Sequence, residues 1–291
     1  MEIFEVWPLA LLIVAALLGL VVGSFLNVVA YRLPVMMERA WRAQCEELKT
    51  QPFTPPAHVE NGKRFDLWWP RSTCPGCGQA ISVQHNVPVI GFLWLKGRCA
   101  KCGIKISPRY PVVEAFAAVL GLTTAYVFGP SLQTVAALGF AWTLLALTLI
   151  DLDHKLLPDS LTLPLLWAGL LVNVPGLFTT LTSSVLGAAA GYLTLWSVYK
   201  LFKLVTGKEG MGYGDFKLLA AIGAWLGWQL LPVVILLSAV VGSVVGIAMI
   251  AFGGRSSQTA IPFGPYLAGA GFIALLWGGR LVQLYQAWFF R

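Results

Sequence analysis

The chain alternates long apolar runs with short polar stretches, and it has one long hydrophilic stretch, from Arg32 to Arg109. The apolar runs are continuous rather than period-two, which predicts helices and argues against a barrel. Eight spans are expected: Pro8–Ala30, Val112–Phe128, Leu132–Ile150, Leu161–Phe178, Val185–Val205, Phe216–Leu230, Leu231–Phe252 and Gly264–Leu284. Most approach the ~20 apolar residues that a helix needs to cross a bilayer. No charge occurs between Leu218 and Phe252, a stretch too long for one span, so it is divided near Pro232 by a tight external turn. Pro164 falls early in its span, where a first-turn proline is tolerated. Met1-Glu2-Ile3-Phe4-Glu5 has no basic n-region, so the first run reads as an uncleaved span and not a signal peptide. The expected fold is an all-α polytopic membrane protein of about eight transmembrane helices, with a hydrophilic loop domain between the first and second.

Composition strengthens this picture. Of 291 residues, 57% are hydrophobic and 11% charged, and the mean hydropathy of +0.75 lies far outside the soluble range. Charge then sets the orientation. Twelve of the twenty Lys and Arg residues fall between Arg32 and Arg109, and Lys155, Lys200, Lys203, Lys208, Lys217 and Arg255 fall on loops of the same side. Only Arg280 and Arg291 lie at the other side, which places the loop, Asp151 and Asp215 in the cytoplasm and both termini outside. The net charge of +7 is therefore a topology signal and does not point to nucleic acid.

Two features carry chemistry. The first is Cys74-Pro75-Gly76-Cys77-Gly78 followed by Cys99-Ala100-Lys101-Cys102-Gly103, two Cys-x2-Cys pairs separated by 21 residues. Four thiolates at this spacing close around zinc, and the glycine after each pair permits the tight knuckle turn. Two disulfides are the alternative, which a reducing cytoplasm disfavours. Four ligands leave no open position, so the zinc is structural, a staple for a loop of little apolar content. Cys45 is left over as an ordinary single cysteine. His58, His85 and His154 do not cluster, and His-Glu-x-x-His and Gly-x-Ser-x-Gly are absent.

The second is a pair of aspartates where apolar helices meet basic sequence. Asp151 ends the run Ala141–Ile150 and opens Asp-Leu-Asp-His-Lys-Leu-Leu-Pro-Asp, while Asp215 closes Gly210-Met211-Gly212-Tyr213-Gly214-Asp215. An ionisable residue at a membrane helix end is a functional hypothesis by default, and two acids on one side suggest a dyad that shares a proton and activates water. The bland reading is that Asp153 and His154 are solvated loop residues, that Asp159 caps the fourth span, and that Asp215 caps a helix starting at Phe216. The glycines at 210, 212 and 214 favour the functional reading for Asp215, because they leave room for an extended peptide beside it. Glu114, at the start of the second span, either pairs with Arg109 or faces the bundle interior.

Gly23-Ser24-Phe25-Leu26-Asn27-Val28-Val29, the two cysteine knuckles, Ser107-Pro108-Arg109-Tyr110-Pro111, Asp151–Asp159, Gly212–Lys217 and Pro262-Phe263-Gly264-Pro265 follow one another over nearly the whole chain. In this order they resemble the type IV prepilin peptidases, aspartic membrane proteases with a Gly-x-Gly-Asp motif. The resemblance implies a bifunctional enzyme of the bacterial inner membrane: an aspartic endopeptidase and an N-methyltransferase. It would cleave the basic leader of type IV prepilins or type II secretion pseudopilins after a glycine, then methylate the new N-terminal residue with S-adenosylmethionine. It further implies that Asp151 and Asp215 are catalytic, Asp151 rather than Asp153 because Pro158 lies seven residues on. By the same resemblance Cys74, Cys77, Cys99 and Cys102 are the metal ligands. The domain organisation expected is a first helix over 1–30, a cytoplasmic zinc-binding domain over 31–110 and a transmembrane peptidase domain over 111–291. One ionised aspartate would take a proton from water while the other, protonated, donates to the scissile carbonyl. No Gly-x-Gly-x-x-Gly follows a strand, so the methyl donor's site has no residues assigned to it.

Two other classes fit less well. Presenilin-like intramembrane proteases share the glycine-x-glycine-aspartate, but set their first aspartate within a Tyr-Asp pair inside a helix, whereas here it stands in Ile150-Asp151-Leu152. A proton-coupled transporter of that kind often carries paired internal repeats and midplane acids, and this chain has neither pattern.

Overall fold

The structure, a computed structural model, describes residues 8–44, 64–208, 210–252 and 261–289. Cys45, His58, Arg255, Arg291 and the first five residues lie outside the described residues. Among the described residues there is no strand, and the α-helices are α1 (Pro8–Gln44), α2 (Ile90–Trp94), α3 (Arg109–Phe128), α4 (Leu132–His154), α5 (Asp159–Val172), α6 (Leu181–Thr206), α7 (Tyr213–Leu226), α8 (Leu231–Ala251) and α9 (Gly264–Phe289). Six of them, α1, α3, α4, α6, α8 and α9, are long and apolar enough to cross a membrane. The protein is a multi-pass membrane protein. The two remaining expected spans are α5 and α7, each 14 residues long. At ~1.5 Å per residue each rises only about 21 Å, short of a ~30 Å hydrocarbon core.

Three boundaries differ from the sequence expectation. Helix α1 does not stop at Ala30 but continues through Pro34 to Gln44. The break expected near Pro232 falls at Gly227, whose φ of +82° leaves the helix, and Pro232 instead sits in the first turn of α8. Helix α7 begins at Tyr213, three residues before Phe216, with Gly212 as its N-cap.

The chain divides into two compact units, residues 2–126 and 127–291. In the first, α1 lies on α3 through Gly19 and Gly23, a small-xxx-small spacing that lets helix backbones approach. A Cβ on Gly19 would stand 2.5 Å from the Ala118 Cα, and one on Gly23 would stand 2.6 Å from the Glu114 Cα. Past this contact Arg32 is buried, and its guanidinium donates to the backbone carbonyls of Asp66 (2.8 Å) and Pro70 (2.6 Å). A charge satisfied in this way need not end the helix, so α1 carries on. Asp66 in turn accepts from the Trp68 and Trp69 N–H groups and from Arg64, and the Arg64 bond, first among these, holds its carboxyl below the usual range.

In the second unit α7 is the central helix. From Phe216 to Leu226 every residue except Lys217 is buried, as expected for a helix that is apolar all round. Helix α6 comes against it at Gly187 and Gly191, whose missing Cβ atoms would meet the carbonyl oxygens of Gly223 and Leu219 at 2.3 and 2.6 Å. The core continues through Phe140 and Leu147 of α4, Leu165 of α5 and Leu267 of α9. The carbonyls left open at the C-terminal end of α7 find partners in Asn173, which is fully buried and donates to Ala224 O (2.9 Å) and Trp225 O (3.1 Å). The same side chain accepts from the Phe178 and Thr179 N–H groups at 3.0 and 3.1 Å. The far end of α7 is thereby pinned, and Asp215 lies at the opposite, N-terminal end.

Candidate active site and metal centre

Asp151 occupies the last turn of α4. That helix ends because Lys155 turns left-handed (φ +53°) and returns its N–H to the Asp151 carbonyl at 2.9 Å. The Asp151 side chain is buried, and its Oδ2 accepts the Gly264 N–H, the first of α9, at 3.0 Å. A helix N-terminus carries partial positive charge and unsatisfied N–H groups, so it is a fitting partner for a carboxylate. Asp215 is also buried, in the first turn of α7, and its carboxyl faces the Gly212 N–H across the cap. It is an N3 residue, not the N-cap that the bland reading required. The two carboxyls lie within electrostatic reach of one another. A buried acid pair of this kind can hold one proton between two oxygen-rich groups and polarise a water.

Leu157, buried in the α4–α5 connection, supports both acids. It lies under Gly214 (2.7 Å from where a Cβ would stand) and under Gly264 (3.2 Å). Lys217, one turn into α7, donates to both oxygens of Asp159 at 2.7 Å. Pro158 is the N-cap of α5 and Asp159 its first residue, so Asp159 anchors α7 instead of capping α5. Both groups are partly exposed, and such a pair contributes at most ~1 kcal/mol. Its effect is to register the two motifs. Hydropathy gives no hint of this pair; the opposite charges at the two motif ends were the available signal. Asp153 and His154 are exposed, but they belong to the last turn of α4 and not to a loop. Glu114 is buried at the α1–α3 contact and takes the interior alternative.

Gly264 was legible only as part of a motif, and its role comes from the geometry. A Cβ there would stand 2.6 Å from Asp151 Oδ2, inside van der Waals contact, so the carboxylate or the start of α9 must move. Gly264→Ala is expected to lower kcat for peptide cleavage about 100-fold, the scale of a ~1 Å misplacement, with KM changed less than threefold. Initial rates on a leader-bearing peptide check this, and activity within threefold of wild type would remove Gly264 from the site.

The four cysteines of the hydrophilic segment come together. Their sulfurs all lie within 4.8 Å of one another, and Cys74 Sγ and Cys102 Sγ are 3.7 Å apart. Two sulfurs bound tetrahedrally at Zn–S ~2.3 Å would be about 3.8 Å apart, so the donor set fits a thiolate-bound metal. The two knuckles repeat one hydrogen-bond scheme. Gly78 N–H and Gly103 N–H return to Cys74 O and Cys99 O, both at 2.9 Å, while Cys74 N–H and Cys99 N–H reach Gln79 O and Ile104 O, also at 2.9 Å. Each turn closes through a left-handed glycine, Gly78 at φ +65° and Gly103 at φ +70°, which is why glycine follows each pair. The N–H groups of Cys102 and Lys101 pull the Cys99 thiol down to about 6, whereas Cys102, despite the Ile104 N–H, is pushed up to about 11 by burial and the neighbouring sulfurs, so the thiols hold their protons as a group.

A polytopic helical membrane protein with a buried aspartate pair at helix ends and a four-thiol centre in a hydrophilic segment is the class that fold and sites define. The chain belongs to the type IV leader peptidase family. The model for that family matches residues 138–247, and the model for the bacterial peptidase A24 N-terminal domain matches residues 17–128. Among its relatives are proteins named prepilin leader peptidase/N-methyltransferase. That of Stutzerimonas stutzeri is 54% identical over 278 residues, 96% of this chain and 94% of that protein. That of Aeromonas salmonicida is 54% identical over 269 residues (92% and 91%), and that of Pseudomonas aeruginosa 53% identical over 279 residues (96% and 94%). No solved structure matches the chain.

Proposed function

We propose that this chain is a prepilin leader peptidase and N-methyltransferase. It cleaves type IV prepilins or type II secretion pseudopilins on the cytoplasmic side of a bacterial inner membrane and methylates the new N-terminus with S-adenosylmethionine. The observation that carries the reading is the buried Asp151–Asp215 pair, each acid at a helix end and within electrostatic reach of the other. In this reading one carboxylate takes a proton from the attacking water while its protonated partner donates to the scissile carbonyl. The Gly264 N–H holds Asp151 in place for either role. Cys74, Cys77, Cys99 and Cys102 would hold zinc as a structural staple, outside the proteolytic chemistry. The division of labour follows the segments: 1–30 as first span, 31–110 as cytoplasmic zinc-binding domain, 111–291 as peptidase. The basic residues support cytoplasmic acids and periplasmic termini.

Mass spectrometry of a prepilin incubated with the purified protein and S-adenosylmethionine tests the proposal. The expected product is shorter by the leader and heavier by one methyl group at its new N-terminus. An intact prepilin under conditions where the protein is folded would overturn it.

A further inference from the structure

One buried acid lies outside the aspartate pair. Glu114, one turn into α3, is only 7% exposed. Its Oε2 accepts the Val89 N–H at 2.7 Å, and it makes no other side-chain hydrogen bond and no ion pair among the described residues. A neutral acceptor would serve Val89 as well. A full charge kept this deep without a counter-ion costs free energy, and an acid at such a depth in a membrane helix is a functional candidate.

The carboxylate sits at a close helix contact whose outer edge is accessible. Gly23 of α1 presents bare backbone against the Glu114 Cα. One turn further along α1, Asn27 donates to Gly23 O (3.2 Å) and to Tyr110 O (3.4 Å), which holds the two helices in register at this level. Tyr110 stands one turn before Glu114 on the same face of α3 and is half exposed, and Ile90, next to Val89, is exposed. A carboxylate beside an accessible aromatic ring is an arrangement suited to an organic cation.

We propose that Glu114 binds a cationic reactant of the methyl transfer, the sulfonium and ammonium groups of the donor or the terminal ammonium of the acceptor. This inference rests on the methyltransferase reading above. In the transfer the acceptor amine, having lost a proton to solvent, forms the new N–CH3 bond with its lone pair. The S–CH3 bond breaks with its electron pair going to sulfur, and the sulfonium leaves as a neutral thioether. Glu114 forms no bond to carbon. It supplies binding energy to a reactant, so its loss acts on affinity and KM more than on kcat.

Glu114→Gln keeps an acceptor for Val89 and removes the charge; Glu114→Asp keeps the charge. With full-length protein in lipid nanodiscs, the dissociation constant of S-adenosylmethionine is measured by calorimetry, and that of a leader-free peptide beginning with phenylalanine by fluorescence anisotropy. Methylation KM values and leader cleavage are followed in parallel. Glu114→Gln is expected to weaken one of the two ligands about 30-fold, the scale of a lost charge-assisted contact, with Glu114→Asp recovering part of it and cleavage within twofold of wild type. Weaker donor binding assigns the carboxylate to the donor, and weaker peptide binding assigns it to the amine. Unchanged affinity for both in Glu114→Gln would overturn the proposal and leave Glu114 as a neutral partner of Val89. So would a parallel loss of cleavage and both affinities, which marks a structural residue. A wild-type protein that cleaves but neither binds the donor nor methylates instead removes the methyltransferase reading itself.

Discussion

Asparagine in place of Asp151 or of Asp215 is expected to slow leader cleavage at least about 10^4-fold, the upper range for loss of a general acid or base. The two effects are also expected not to add, because the acids act as one unit and either substitution leaves nothing to exchange a proton with. Asparagine is close in shape to aspartate, and at position 151 its amide oxygen can still accept the Gly264 N–H that now goes to Oδ2. The fold should therefore survive, and unchanged thermal unfolding in the same detergent is the control. Release of leader peptide, followed by mass spectrometry over hours, reads the rate. Either variant within tenfold of wild type would show that its aspartate only completes a helix end, and the water-activating dyad would be lost with it. Methylation of an already cleaved peptide should be spared in both variants, since that reaction asks nothing of the acid pair.

What sequence reasoning could reach here depends on how local the signal was. The cysteine tetrad was readable because two Cys-x2-Cys pairs, each with its glycine, specify their own turns. The apolar runs announced the helices, but their ends were set by contacts that hydropathy ignores. Ala30 looked like a boundary because Arg32 follows, yet carbonyls of Asp66 and Pro70 satisfy that guanidinium and the helix persists to Gln44. The start of α7 was placed at Phe216, with the preceding glycines read as room for a peptide, yet Gly214 lies inside the helix and is needed there to clear Leu157. The aspartates stood out as acids at the edges of apolar runs. That they come within electrostatic reach of each other could not be read, since they stand 64 residues apart in the chain and meet only through tertiary packing. Gly264 is the plainest case: its motif marked the segment but not its role, which is that a carboxylate from α4 occupies the space a side chain would need.

Removal of the metal is expected to have the other large effect, on order in the hydrophilic segment. Between Arg64 and Pro108, Cys74 is the only buried side chain of the hydrophobic class, and strand-like pairing amounts to two isolated bridges, Thr73 with Ala80 and Arg98 with Lys105, beside turns and the short α2. So thin a core cannot offset the conformational entropy of ordering the segment. A structural zinc site, by contrast, contributes ~10–16 kcal/mol of apparent binding free energy, as much as the whole stability of an ordinary domain. The purified protein should accordingly carry one zinc per chain by elemental analysis. Replacing Cys99 and Cys102 with serine should abolish that zinc and speed limited proteolysis between residues 64 and 108 at least about 100-fold. Cleavage sites mapped by mass spectrometry would locate the effect. The transmembrane helices draw their stability from contacts such as Gly187 on Gly223 and Asn173 on the end of α7, which the metal does not touch, so helical circular dichroism should change little. Equal protease resistance in the variant would mean that the knuckles hold without metal, and the four thiols would then need another explanation than a staple.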